Sequence, residues 1–177
     1  MRTTLVLTVL GDDRPGIVER LSDRVLGAGA NWEESRMAHL SGKFAGLLRV
    51  SVEADRADAL AEALASLSGA GLSVVVEPGV EPAPRPSARM TLQLVGHDRP
   101  GIVRDVSRVL AAQQVNIEEL ESEVESAPMT GEPLFRARAH LRLPASTEPA
   151  RVVQMLEALA GELMVDLTID HGDEPGA

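Results

Sequence analysis

The spacing of the hydrophobic residues near the start of the chain changes from that of a strand to that of a helix. Residues 3–10 are all Thr, Leu or Val and end at Gly11, which predicts a buried strand. After Pro15, apolar residues recur at helical spacing, which predicts a helix. The apolar positions of this helix are Ile17, Val18, Leu21 and Val25.

The following residues complete one structural unit. Segments 32–40 and 44–53 flank a Ser-Gly turn at 41–42, which predicts a hairpin. A second helix and a last strand over 72–77 follow. The apolar face of the second helix carries Leu60, Leu64 and Leu67. The predicted order of elements is therefore βαββαβ.

The sequence then repeats this order. Residues 11–18 (GDDRPGIV) match residues 96–103 (GHDRPGIV) at seven of eight positions, with an offset of 85 (96 − 11). Residues 31–34 match 116–119 at the same offset. The offset later becomes 91 (135 − 44), which indicates six inserted residues in the second hairpin, near 126–133. We interpret this insertion as a loop for packing or for contact with a partner.

A period of this length is too long for a solenoid repeat and indicates two duplicated domains. We predict a first domain over 1–78, a Pro-rich linker over 79–87, a second domain over 88–171 and a tail over 172–177. The order of elements predicts an α+β fold in each domain, a ferredoxin-like sandwich with an antiparallel sheet and helices on one face.

Small domains of this kind leave the edge strands of their sheets exposed. We therefore expect the two copies, or two chains, to pair through joined or facing sheets, most simply as a homodimer. Segment 118–125 carries five glutamates, and Glu33 and Glu34 lie at the matching place in the first copy. These carboxylates indicate edge protection or a solvated face, with a metal-binding or acid–base cluster as the alternative.

Composition narrows the classes of function. Lys and Arg total 17 against 27 Asp and Glu, and the net charge of −10 opposes binding to nucleic acid or anionic membranes. The chain has no Cys and its four His are scattered, so we expect no cofactor and no metal site. The absence of a signal segment near residue 1 predicts a cytoplasmic protein.

The candidate chemistry lies at the Asp-Arg-Pro-Gly turn of each copy. There a strand ends and a helix begins, so unpaired N–H groups and the positive end of the helix dipole favour a carboxylate. Pro15 and Pro100 suit the first helical position, and Gly16 and Gly101 let a small ligand approach the main chain.

Two further pairs of residues extend this candidate site. Asp13 and Asp98 either cap the helix or face the ammonium group of a bound amino acid. Asn31 and Asn116 begin the next strand and offer both a donor and an acceptor to a zwitterion. Next to the glycines, Ile17 and Val18 are expected to point inward.

The strand, Asp-Arg-Pro-Gly-Ile-Val turn, helix and Asn of each copy resemble the ACT domain, a regulatory module that commonly binds amino acids between paired copies. Two tandem copies with the insertion at 127–135 resemble the glycine cleavage system transcriptional repressor group. The resemblance implies a non-enzymatic regulator that senses glycine or a related amino acid and contacts a transcriptional activator protein. It places the ligand at Asp13, Gly16, Ile17, Asn31, Asp98, Gly101, Ile102 and Asn116.

The two copies differ at two places in this pattern, because Trp32 stands where the second copy has Ile117, and Asp12 where it has His97. The two sites are therefore free to differ in ligand. The alternatives are a ligand-free assembly module and an amino-acid-responsive regulator of a metabolic enzyme. The amino-terminal part of formyltetrahydrofolate hydrolases is also similar, but seven residues after 170 leave no room for a catalytic domain, and we expect no catalytic residues.

Overall fold

The computed structural model describes residues 1–80, 87–128 and 130–171. Most of the predicted linker, Met129 of the predicted insertion and the predicted tail after residue 171 lie outside the described residues. The chain divides into two compact units, one for each copy of the repeat.

The first unit folds in the predicted order βαββαβ. Its elements are β1 (Arg2–Asp12), α1 (Ile17–Gly27), β2 (Asn31–Leu40), β3 (Lys43–Glu53), α2 (Ala57–Ala65) and β4 (Leu72–Pro78). The strands form one sheet in the order β2-β3-β1-β4, and every neighbouring pair is antiparallel. Leu67 of the predicted second helix lies in a short 3-10 segment that continues α2.

The second unit repeats this architecture. Its elements are β5 (Ser87–His97), α3 (Ile102–Ala112), β6 (Asn116–Ser126), β7 (Pro133–Pro144), α4 (Pro149–Leu163) and β8 (Val165–His171). The strand order is β6-β7-β5-β8, again antiparallel throughout. The predicted α+β ferredoxin-like class is confirmed for both copies. No helix in the described ranges is long and apolar enough to cross a membrane.

Each unit has its own aliphatic core on the helix side of its sheet. Along β1, Leu5, Leu7 and Val9 are buried, while Thr8 and Leu10 between and beside them are exposed. This alternation is the period of two that puts successive strand residues on opposite faces. Each fully buried leucine contributes about 1.5–3 kcal/mol relative to an exposed one.

The glycine that ends the first strand of each copy is required by close packing. A Cβ on Gly11 would lie 2.8 Å from the carbonyl oxygen of Gly71, where the chain enters β4. A Cβ on Gly96 would lie 2.9 Å from Cβ of Val165, at the start of β8. Both copies therefore keep glycine where the last strand of the sheet presses against the first.

The acidic strand of the second copy is an edge strand, as predicted. β6 lies at the edge of its sheet and has a bulge between Ile117 and Glu119, and β2 has the same bulge between Trp32 and Glu34. Glu118, at the second bulge, pairs with Arg142. Within the described parts of the chain, no group of three or more His, Cys, Asp or Glu side chains is arranged to hold a metal ion.

Candidate ligand site at the strand–helix corner

The backbone at the two Asp-Arg-Pro-Gly turns explains their glycines. Gly16 (φ 90°) and Gly101 (φ 101°) are the N-cap residues of α1 and α3, and both lie in the left-handed region that favours glycine. The helices begin one residue later, at Ile17 and Ile102. The prediction that the prolines occupy the first helical position is therefore wrong: Pro15 and its counterpart precede the cap.

The hairpin of each copy holds this corner in place. The backbone N–H of Asp13 donates to the carbonyl oxygen of Gly42 in the β2–β3 turn (2.9 Å). The N–H of Asp98 donates to the carbonyl oxygen of Pro133 (3.0 Å), the last residue of the predicted insertion. The end of the inserted segment thus borders the second corner.

Among the residues that the structure describes, no side chain caps either helix. The N-cap glycines of α1 and α3 have no side-chain hydrogen bond to the first turn, and both Asp13 and Asp98 are exposed. The capping interpretation of these aspartates is therefore wrong. The N–H groups of each first helical turn have no partner within the helix, so they can bind an anion that approaches past the glycine.

The floor of each corner is apolar. Ile17 and Ile102 are 4% and 3% exposed, as predicted. Val18 was expected inward as well, but it is 47% exposed because it lies on the solvent side of α1. Successive residues of an α-helix point about 100° apart, so Val18 turns away from the core that Ile17 faces.

The side chains around the two corners differ in charge. In the first copy, the Oε2 atom of Glu19 lies 3.6 Å from the position of a Cβ on Gly16. In the second copy, Nη2 of Arg104 lies 3.5 Å from the position of a Cβ on Gly101. Arg104 also donates from Nε to Oδ1 of Asp105 (2.9 Å). The first corner therefore presents a carboxylate, and the second presents an ion pair with its guanidinium beside the glycine.

A second pair of titratable side chains lies at the end of the first strand in each copy. In the first copy, Lys43 hydrogen-bonds Asp12, and this bond lowers the pKa of the Asp12 carboxyl, with a further contribution from the positive charge of Lys43. In the second copy, His97 Nδ1 lies 3.6 Å from Oε2 of Glu132. In each corner a different pair of side chains therefore links the end of the first strand to the hairpin.

Asn31 and Asn116 lie at the opposite end of the sheet from the corners. Asn31 pairs with Ser51, which pairs with Thr4 of β1, whereas the corner follows Asp12. The eight positions between Thr4 and Asp12 (12 − 4) correspond to about 26 Å. Asn116 is equally distant from the second corner, because it pairs with Arg142 near the start of β5. Within one copy, the structure brings together the Asp, Gly and Ile but not the Asn.

The second copy has an apolar groove beside its corner that sequence reasoning missed. A cavity of about 30 Å³ lies between α3 and the sheet, and Ile102 is among its lining residues with Leu120. In the first copy, Met37 packs over Gly46. A Cβ on Gly46 would lie 3.2 Å from the Cβ of Met37. The matching residues of the second copy are Ser122 and Ala137. The small Ser122 in place of Met37 was the feature of the sequence that could have predicted the groove.

A larger cavity lies on the other face of the second sheet and does not include the corner. It measures about 360 Å³ and lies on the charged outer face of the second sheet, between Glu121 and Glu123 of β6 and Arg138 of β7. None of the predicted site residues lines it. The corner, in contrast, is defined by its free backbone donors and not by an enclosed volume.

Models of the ACT domain match the chain twice, over residues 3–77 and 90–137. The chain is 31% identical over 162 residues to the glycine cleavage system transcriptional repressor of Escherichia coli (strain K12), covering 90% of this chain and 85% of that protein.

Two solved structures resemble the whole chain. The first, an unknown protein from Galdieria sulphuraria, has a TM-score of 0.87 and 33% identity, covering 97% of this chain and 99% of the other. The second, a candidate glycine cleavage system transcriptional repressor, has a TM-score of 0.70 and 20% identity, covering 98% and 99%. The second likeness concerns the fold alone.

Proposed function

Because the chain is a tandem ACT-domain protein that belongs to the glycine cleavage system transcriptional repressor family, we propose that it is an amino-acid-sensing regulator without catalytic activity. Its ligand is glycine or a related small amino acid. It acts in the cytoplasm, through contact with a transcriptional activator protein and not by binding DNA. The net charge of −10 supports contact with protein in preference to nucleic acid.

The observation that carries the ligand proposal is the uncapped first turn of α1 and α3. Each offers free N–H donors at the positive end of a helix dipole, behind a glycine that leaves room for a carboxylate. The exposed Asp13 and Asp98 lie three residues before these glycines and supply a negative charge for the ammonium group. A zwitterionic amino acid can therefore place its carboxylate at the N–H donors and its ammonium group at the aspartate.

We assign the tighter site to the second copy. Beside Gly101, the guanidinium of Arg104 offsets the carboxylate of Asp105, whose Oδ2 lies 3.7 Å from the same Cβ position, and it can attract the ligand carboxylate. Beside Gly16, the carboxylate of Glu19 repels the ligand carboxylate. Both side chains lie a few ångströms from the proposed position of the ligand carboxylate and are partly exposed. At that distance, repulsion by Glu19 and attraction by Arg104 are large enough to give the two sites different affinities. The first site then fills only at higher ligand concentration.

The distant asparagines enter the proposal through a second ACT domain. Asn116 lies at the end of its sheet opposite Asp98, so a ligand at Asp98 meets an equivalent Asn only if a different copy of the domain supplies it. Ligand binding would then depend on assembly. Such a dependence lets the ligand shift an assembly equilibrium by its difference in affinity for two states.

The size of the ligand sets the affinity range. Glycine has five heavy atoms, and a ceiling of about 1.5 kcal/mol per atom limits binding to about 7.5 kcal/mol, a Kd of a few micromolar at best. Contacts weaker than this ceiling give Kd values from tens of micromolar to millimolar. This range suits a sensor of metabolite concentration.

The test is calorimetric titration of the full chain with each of the twenty amino acids. We expect saturable binding of a small amino acid, with the tighter site lost in Gly101→Val because the side chain fills the approach to the N–H groups of α3. Gly16→Val is the matched control, since it imposes the same backbone strain at φ 90° but leaves the second site intact. No binding of any amino acid would leave the ligand-free assembly module, and a tighter site retained at full affinity in Gly101→Val would place the ligand elsewhere.

A further inference from the structure

The outer face of the first sheet, the face away from the helices, carries a contiguous apolar surface. Leu10, Leu47 and Val75 are each about half exposed there, and Leu40 is 77% exposed. Two exposed alanines complete the group. We define the outer patch as Leu10, Ala38, Leu40, Ala45, Leu47 and Val75.

The strand register makes these residues neighbours. Thr8 of β1 pairs with Leu47 on one side and Val75 on the other. One step along the sheet, Leu10 pairs with Ala45, and Ala45 pairs with Ala38. Residues directly opposite one another on a sheet face have their Cβ atoms about 5 Å apart. The outer patch is therefore one surface that crosses the sheet.

The fold does not require this surface to be apolar. In the second sheet, the register positions of Leu47 and Ala45 carry Arg138 and Arg136, and the position of Val75 carries Thr168. Arg136 pairs with Glu125 of the edge strand. A ferredoxin-like sheet with helices on its other face is thus compatible with a charged outer face, and the apolar one needs a separate reason.

Several charged pairs within the chain lie at or around the outer patch, among them Arg36 with Glu34 at 3.6 Å. At one end, Arg49 lies 3.4 Å from both Glu33 and Glu34. At the other end, Lys43 pairs with Asp12. The patch therefore faces solvent without a strong field of either sign, in a chain whose net charge is −10.

The area of the face is sufficient for a stable contact. Four strands about 4.8 Å apart and about nine residues long at 3.3 Å per residue cover about 570 Å². Two such faces in contact bury about 1,100 Å², above the roughly 1,000 Å² that a specific interface requires.

We propose that the outer patch is the contact surface between two copies of this chain, which pack sheet against sheet about a twofold axis. A twofold contact uses the same patch on both partners, so a flat apolar face bordered by paired charges is self-complementary. Two chains of the same net charge can approach most closely where their charges are neutralised. This proposal concerns the first sheet and does not depend on amino-acid binding.

The first test is the mass of the full chain in solution, by light scattering and sedimentation equilibrium. We expect a dimer, and Leu47→Glu should weaken it about thirtyfold or more, since a central charge would be buried. Leu47 is 53% exposed on the outer face, so a glutamate there meets solvent in the monomer and the variant should fold. A monomeric wild-type chain would overturn the proposal.

Leu26→Glu is the matched control. It makes the same change at a 76% exposed leucine on α1, away from the outer face, and should leave the dimer intact. A dimer lost in Leu26→Glu but kept in Leu47→Glu would move the interface to the helix side of the domain and contradict the proposal. If circular dichroism shows that Leu47→Glu is unfolded, Val75→Lys tests the same patch from β4, and a dimer that persists in this folded variant also contradicts it.

Discussion

The two copies share the backbone of the corner but differ in the side chains around it. Gly16 and Gly101 have nearly the same conformation, and both helices begin uncapped. Beside these glycines, however, Glu19 in the first copy is replaced by Arg104 in the second. Backbone features that the fold needs are kept in both copies, whereas exposed side chains have diverged to give each domain its own surface.

The same contrast holds on the sheets. The first copy has an apolar outer face and fills its helix-side groove with Met37, while the second has a charged outer face and an open groove. The first domain is therefore the better candidate for a contact between chains, and the second for a ligand. Three experiments test how far this division extends, beginning with a feature that both copies share.

The largest expected effect concerns the glycine that ends the first strand. Gly96→Ala should lower the free energy of unfolding by about 1–3 kcal/mol, because its Cβ would lie 2.9 Å from Cβ of Val165 and 3.1 Å from its Cα. Gly11→Ala should cost a similar amount against the carbonyl oxygen of Gly71. Thermal and urea unfolding measure both.

Gly161→Ala is the control for this pair. Gly161 lies inside α4, and a Cβ there would meet nothing within 4 Å. The substitution should stabilise the protein by roughly 0.5–1 kcal/mol, as alanine is the better helix former. If Gly96→Ala were neutral, close packing against β8 would not explain why both copies have glycine.

The sequence was sufficient to predict the fold because periodicity and turn residues act locally. The strand of residues 3–10 and the Ser-Gly turn at 41–42 appear where they were predicted, at β1 and the β2–β3 turn. The internal repeat supported each prediction twice. Val18 was predicted to point inward because it is apolar and follows Ile17. The spacing of apolar residues does not show where the buried face of a helix ends, and Val18 lies beyond that face.

The site was harder to predict, because its parts meet only through topology. Asp13 and Gly16 are neighbours in sequence, and their shared corner follows from the turn itself. Asn31 was assigned to the same site from its residue type, yet β2 begins at the far end of the sheet. The charges of Glu19 and Arg104 were visible in the sequence, but only the helix start places them beside the glycines.

The next effect in size is an exchange of charge between the copies. Arg104→Glu gives the second corner the residue of the first and should weaken amino-acid binding about tenfold, equivalent to about 1.4 kcal/mol. Glu19→Arg should strengthen binding at the first corner by a similar factor. Calorimetric titration with glycine measures both affinities and the number of sites.

Melting curves without ligand serve as the control for this exchange. Both side chains are exposed, so neither variant should change the unliganded stability by more than about 0.5 kcal/mol. Equal affinities in Arg104→Glu and the wild-type chain would mean that the guanidinium does not face the ligand. The two corners would then be equivalent despite their charges.

The smallest effect concerns the pair of Asp12 and Lys43, which the second copy lacks. The hydrogen bond from Lys43, aided by its charge, lowers the pKa of Asp12 below its usual value of 3.8. A lowered carboxyl pKa adds stability that is fully present above the usual value and is lost as the pH falls through the lowered one. This acid-sensitive contribution therefore belongs to the first copy.

Lys43→Met should return the Asp12 pKa to its usual range and remove that part of the acid dependence, as followed by NMR titration of the carboxyl group. Glu53 is the internal control: its pKa is lowered by a hydrogen bond from the N-terminal ammonium group at the other end of β3 and should not change. An unchanged Asp12 pKa would mean that Lys43 does not hold this carboxylate. The hydrogen bond from Asp13 N–H to Gly42 and the pairing of β1 with β3, both formed by the backbone, would then still tie the first corner to its hairpin.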